Sequence, residues 1–259
     1  MSMRLANPVL PVSHQFHNFS QDFRERFHTF EFRAAEHVAD WAQDALVHTN
    51  LSLIDPDFER LIDFDALLRA PVRRFSFDIG PCYERVKVVG QQYVGIGPKL
   101  SWKEVLDRAG ITLSKVRSRF PPGCELAVEV LNYYPTGAYD GVCGAEFYNE
   151  ACRRLNVGLV FDIAHARVTS ANLGRPFVDF LNLLDWTWVR EVHLSRPTLA
   201  VEGGAIDSHD CPEEEEFSLL EKVLSRMTDP VDVVIEYYRC VDGIIDAYAK
   251  LFDMIGAVR

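Results

Sequence analysis

The 259-residue sequence predicts an α/β fold, a (β/α)8 TIM barrel, on three observations. Short β-rich runs alternate with amphipathic helical segments, the pattern of β-α units and a parallel sheet. Eight such units fit the length, since single barrels of this kind run to roughly 250 residues. Neither G-x-G-x-x-G nor G-x-x-x-x-G-K-S/T occurs, so the competing doubly wound sheet lacks its usual phosphate loop. One domain is expected over residues 1–259, without an interdomain linker or repeat.

The elements follow in order. PVLPVSHQF (8–16) is the candidate first strand. TFEFRA (29–34), ALVHTNLSL (45–53) and RRFSFDIG (73–80) supply the next three. Residues 97–123 read as helix plus loop, ended by Pro-Pro-Gly. ELAVEVLNYY (125–134) and VGLVFDIAHA (157–166) are strands around the helix GAEFYNEACRRLN (144–156). VREVHLS (189–195) and VDVVIEYY (231–238) close the set around the helix EEEEFSLLEKVLSRM (213–227). The glutamates that open that helix are favoured there by its dipole.

The formal net charge is −11. That argues against nucleic-acid binding, which needs basic residues to displace counterions, and against an anionic membrane surface. Six cysteines without C-x-x-C read as reduced thiols of a cytoplasmic protein. The N-terminus lacks the apolar run of a signal peptide, and no apolar stretch is long enough for a membrane span.

The chemistry lies at the strand ends. His48, Asp78, Glu129, Asp162 with His165, His193 and Glu236 each stand at or just past the C-terminal end of a candidate strand; Asp207 and His209 follow in the loop IDSHD. In a barrel these ends meet at one mouth. Each has a bland reading: His48 as a structural histidine, Asp78 and Asp207 as turn formers, Asp162 as a helix cap, Glu236 as the partner of Arg239. Together they form a ring of carboxylates and imidazoles with no matching ring of Lys and Arg, which is expensive without a cation. The donor types suit Fe, Mn or Zn, and nine donors suit two or three ions. Glu31 is a supporting or substrate-contact candidate. Arg196 and Arg175 could bind a substrate carboxylate or form surface ion pairs. Tyr133, Tyr134, Tyr237 and Tyr238 line the pocket or pack on the barrel.

FDIAHARVTSANLG (161–174), EVHLS (191–195), IDSHD (206–210) and IEYY (235–238) resemble the multinuclear non-haem iron-dependent oxidase family, a former domain of unknown function with a xylose-isomerase-like barrel. The resemblance places metal ligands at Glu129, Asp162, His193, Asp207, His209 and Glu236, with His48 as the early strand histidine. His165 stands where that family usually has Asn, Asp78 where it usually has His, and HLSR where it has HLAG. The resemblance implies two or three irons, use of O2, a cysteine-containing peptide or small thiol substrate in natural-product biosynthesis, and a small partner protein presenting the peptide. On this reading Glu129, His165 and Asp207 are catalytic, and Arg196, Asn172 and Tyr237 bind substrate. The alternative is a non-redox metalloenzyme of the same superfamily using Zn or Mn, a sugar isomerase or epimerase or an endonuclease IV-like hydrolase, whose Asp-x-x-His pattern DIAH also resembles.

Overall fold

The computed structural model describes residues 6–89, 92–199 and 202–256. The strands are β1 (Ala6–Pro11), β2 (Thr29–Phe32), β3 (Asp44–Ser52), β4 (Val72–Asp78), β5 (Tyr83–Val89), β6 (Gln92–Lys99), β7 (Glu125–Glu129), β8 (Gly158–Asp162), β9 (Val189–Leu194), β10 (Arg196–Thr198), β11 (Ile206–Asp210) and β12 (Val231–Ile235). The helices are α1 (Gln21–Arg24), α2 (Phe64–Leu68), α3 (Trp102–Val116), α4 (Ala145–Leu155), α5 (Ile163–Asn172), α6 (Phe177–Leu183), α7 (Glu214–Leu224) and α8 (Val241–Met254). Eight strands close into a barrel in the order β1-β12-β9-β8-β7-β4-β3-β2, and every barrel pairing is parallel. The fold is therefore the (β/α)8 barrel the alternation predicts. No helix among the described residues is long and apolar enough to cross a membrane.

The first units depart from the ideal repeat. A 3-10 turn and the four-residue α1 connect β1 to β2, and another 3-10 turn connects β2 to β3. Aromatic rings fill the space that longer helices would cover. Phe30 meets Phe16 at 5.9 Å and Trp41 at 5.2 Å, and Phe27 meets Tyr248 of α8 at 4.9 Å.

Two hairpins interrupt the pattern. β5 and β6 pair after β4, where the sequence suggests no strands before residue 97. β10 and β11 pair after β9, so IDSHD is a strand rather than a loop. The barrel strands also end earlier than the apolar runs suggest. VLNYY and IAHA are not strand; Val130 and Leu131 are buried beneath the mouth, and Ile163 already begins α5.

Side chains two apart on a strand share a face, and this sorts the barrel interior into layers. Near the N-terminal end lie Arg74, Glu125, Glu191 and Asp232. Arg74 Nη1 donates to Asp232 at 2.6 Å and to Glu191 at 3.2 Å, and its Nε donates to Glu125 at 3.0 Å. Val9, Leu46 and Val234 form a small apolar cluster of their own. The acids and imidazoles follow at the C-terminal ends.

Tyr248 of α8 fastens the β1–β12 seam. Its hydroxyl donates to Val9 O and accepts from Ile235 N at 3.2 Å, at full burial. Tyr248→Phe leaves a buried amide without a partner, so a loss of about 1–3 kcal/mol is expected. A urea titration read by circular dichroism checks it; an unchanged midpoint would show that the seam does not need this hydroxyl.

Candidate metal centre

The barrel delivers its strand-end side chains to one rim. Glu31 comes from β2, His48 from β3, Asp78 from β4, Glu129 from β7, Asp162 from β8 and His193 from β9, with Glu236 just past β12. His165 stands in the first turn of α5 because Asp162 caps that helix, its Oδ1 accepting from His165 N at 2.8 Å. The other Asp162 oxygen faces the cluster without a partner. Capping and donor placement thus coexist in one carboxylate.

Three sets of donor atoms lie within 4.8 Å of one another and could each hold a metal ion: Glu129, Asp162, His193 and Glu236; His165, Asp207 and His209; and Glu31, His48 and His193. In the first, His193 Nδ1 is 3.2 Å from Glu129, 3.5 Å from Glu236 and 4.0 Å from Asp162. In the second, Asp207 Oδ2 lies 3.1 Å from His165 Nε2 and 2.7 Å from His209 Nε2. Glu129 Oε2 is also 3.4 Å from His48 Nε2. Asp78 belongs to none of the three sets, although it lines the same cavity.

The donor set fits a cation. Glu31 Oε1 and Oε2, Asp78 Oδ1, Glu129 Oε1, Asp162 Oδ2, Asp207 Oδ1 and His193 Nδ1 are buried polar atoms without hydrogen-bond partners. Orphaned groups of this kind are rare in native interiors. Here six of the seven belong to residues of the three donor sets and the seventh, on Asp78, lines the cavity beside them, as oxygen and imidazole ligands for Fe, Mn or Zn would.

Electrostatics agree with crowding. Burial, reinforced by Glu129, pushes the Asp78 carboxyl well above its usual range. Burial likewise raises Asp162, with Asp207 and Glu129 adding to it. Burial also opposes ionisation of Glu129, but His48, His165 and His193 more than offset it and hold that carboxyl low. Burial disfavours the charged forms of His165 and His193, yet the carboxylates around each ring raise both well above the ordinary value.

Sequence reasoning missed Arg33. It follows β2, contacts Glu236, lies 3.8 Å from Glu31 and donates to Tyr238 Oη at 2.7 Å. The ring of acids therefore does have one basic neighbour, and Glu236 pairs with Arg33. Arg239 pairs instead with Asp210. The signal was available: Arg33 stands two residues beyond Glu31, on the same parity.

The three expected substrate-binding residues, Arg196, Asn172 and Tyr237, are not among the residues that line the cavity above the acids. Arg196 is bound to Glu213 at 2.8 Å on the surface. Asn172 brackets Ala205: its Nδ2 donates to Tyr133 O and Ala205 O, and its Oδ1 accepts from Ala205 N. It is a clamp for the β10–β11 hairpin, and its close approach requires glycine at 204, where a Cβ would come within 2.7 Å of Asn172 Oδ1. Tyr237 turns toward Cys240 and Gly243, while its neighbour Tyr238 lines the cavity.

The hairpin that Asn172 clamps carries Asp207 and His209. Tyr134 Oη accepts from Asp207 N at 3.2 Å. His209 holds φ 45°, uncommon for a non-glycine residue and typical of strained functional positions. Above the acids opens a cavity of about 1170 Å³, lined by His48, Asp78, Glu129, His165, Asp207, His209 and Glu236 together with Arg33 and Tyr238, and walled by Tyr83 and Tyr93 of the β5–β6 hairpin.

Solved structures share the fold. A D-tagatose 3-epimerase-like protein matches with TM-score 0.62 and 13% identity, over 97% of this chain and 98% of that one. The IOLI protein, solved with a bound zinc atom, matches with TM-score 0.59 and 13% identity over the same shares. The 3-keto-D-glucoside 4-epimerase of E. coli matches with TM-score 0.56 and 14% identity, over 96% of this chain and 99% of that one. No curated protein gives a significant sequence match. A family model does: that of the RiPP precursor modification enzymes MbnB/TglH/ChrH matches residues 97–255, more than half of the chain, and the chain belongs to that family.

Proposed function

We propose that this chain is a multinuclear iron-dependent oxidase that uses O2 to modify a cysteine-containing peptide in natural-product biosynthesis. The observation that carries the metal part is the gathering of seven partnerless buried donor atoms at one rim. The family supplies the substrate class, a ribosomally made precursor peptide. Iron held there would supply one-electron chemistry with O2.

The chain's own residues do the rest. Glu129 reaches toward His48, His165 and His193 and serves as the shared carboxylate of the centre. Asp207, between His165 and His209, holds the second group. His165 and Asp207 line the cavity, so an ion held between them would stand open to the substrate. Arg33, one-third exposed at the cavity, offers a guanidinium to an anionic group of the substrate. A cavity of about 1170 Å³ admits several residues of an extended peptide and exceeds the roughly 300–1,000 Å³ of small-ligand pockets. A small partner protein presenting the peptide, and a cytoplasmic setting, belong to the same reading.

A second reading is a non-redox zinc or manganese enzyme acting on a sugar. The fold neighbours favour it, since two are epimerase or epimerase-like proteins and one carries zinc. Elemental analysis of protein purified anaerobically from iron-rich cells separates the two. Two or three Fe per chain, and O2 consumption on adding a cysteine peptide, are expected. One Zn or Mn per chain, with no response to O2, would replace the oxidase by the second reading.

A further inference from the structure

Each of the four imidazoles at the centre is tied at one ring nitrogen. His165 Nδ1 lies 2.8 Å from Val130 O, and His209 Nδ1 lies 3.3 Å from Glu236 O. A carbonyl only accepts, so both Nδ1 atoms carry protons and both rings present Nε2. His48 Nδ1 lies 2.7 Å from Ser76 Oγ, again leaving Nε2 toward Glu129. His193 is reversed. Its Nε2 lies 2.9 Å from Glu191 Oε1, and its Nδ1 has no hydrogen-bond partner.

His193 is claimed by two of the three donor sets. Nδ1 faces Glu129, Asp162 and Glu236, whereas Nε2 is 3.4 Å from Glu31. One nitrogen cannot both donate a proton to Glu191 and ligate an ion. Glu191 is the nearer acid by half an ångström, is fully buried, and sits two residues before His193 on β9, one step deeper on the same face. Its second oxygen accepts from Arg74, which Asp232 and Glu125 hold in turn. The acid is thus fixed from below before the ring meets it.

We infer that Glu191 is the positioning residue of the centre: it holds the His193 ring with Nδ1 toward Glu129, Asp162 and Glu236, and so removes His193 from the set with Glu31 and His48. The inference rests on the metal reading above. It leaves Glu31 beside Arg33, and it ties the ionic layer of the lower barrel to the metal-binding rim. A carboxylate behind a ligating imidazole fixes its tautomer and raises its basicity, and its loss typically weakens metal affinity about 10–100-fold.

Metal-free protein titrated with Co(II) against a competing chelator tests it. Glu191→Gln is expected to weaken Co(II) binding by roughly tenfold or more and to shift the Co(II) visible spectrum, and to do both to a greater extent than Glu31→Gln. Zn(II)-loaded wild-type protein with ¹⁵N-labelled histidine needs no variant: His193 should show a protonated Nε2 and a metal-shifted Nδ1. A metal-shifted Nε2, or affinity lost in Glu31→Gln and kept in Glu191→Gln, overturns the inference alone. Wild-type protein that takes up neither ion overturns the metal reading and this inference with it.

Discussion

His193→Ala is expected to empty the four-residue donor set and to lower turnover of the peptide by more than a hundredfold. The reasoning is comparative. Losing only the partner behind a ligating imidazole weakens binding by about 10–100-fold, so losing the imidazole itself exceeds that range. His193 supplies the one nitrogen of that donor set, within reach of Glu129, Asp162 and Glu236. Asp207→Ala acts on the other set by removing the oxygen that lies between His165 and His209. Metal per chain, measured by elemental analysis on protein whose far-ultraviolet circular dichroism matches wild type, reads both. The two variants should lose metal while keeping the barrel, because their side chains sit on the rim and not in the apolar layer between strands and helices. Full metal content in both would refute the site.

Arg74→Met should be the most destabilising single change in the barrel. Arg74 is buried and meets three carboxylates, two of them, Glu191 and Asp232, themselves fully buried. Asp232 keeps Arg73, which binds both of its oxygens. Glu191 keeps no second Arg or Lys among the described residues, only the ring of His193. Removing one partner of a buried ion pair costs about 3–5 kcal/mol, because the charge left behind has lost both water and its counterion. For a chain of this size each kcal/mol is worth roughly 2–4 °C, so a fall of about 6–20 °C in the melting temperature is expected. Calorimetry checks it. A fall below about 3 °C would mean that water or a rearranged neighbour compensates Glu191.

The fold was legible because its strand cores are continuous apolar runs, as strands buried on both faces must be. What the pattern could not give was where each strand stops. In VFDIAHA the apolar run continues through Ile163 and Ala164, but Asp162 turns the chain by capping α5, and the run becomes the buried face of a helix. The β5–β6 hairpin, YERVKVVGQQYVGIGPK, alternates in hydrophobicity, yet the repeat of one strand and one helix leaves it no place. At the rim, convergence of the strand-end acids and histidines follows from topology alone. Arg33 and Glu191 escaped because they show only when parity is followed from a neighbour: two beyond Glu31 and two before His193. Asn172 has its amide occupied within the fold: the group can donate and accept at once, and both capacities go to Tyr133 and Ala205.

Asp207 and His209 ride on an appended ribbon, tethered to the barrel by Asn172 and Tyr134, whereas the remaining donors grow from the barrel or from the helix that follows it. Any ion shared between ribbon and wall would couple the two by mass action: whatever tightens the tether tightens the ion, and the ion returns the same free energy to the tether. Side chains far from the chemistry, such as the amide of Asn172, would thereby set how readily the cofactor is kept.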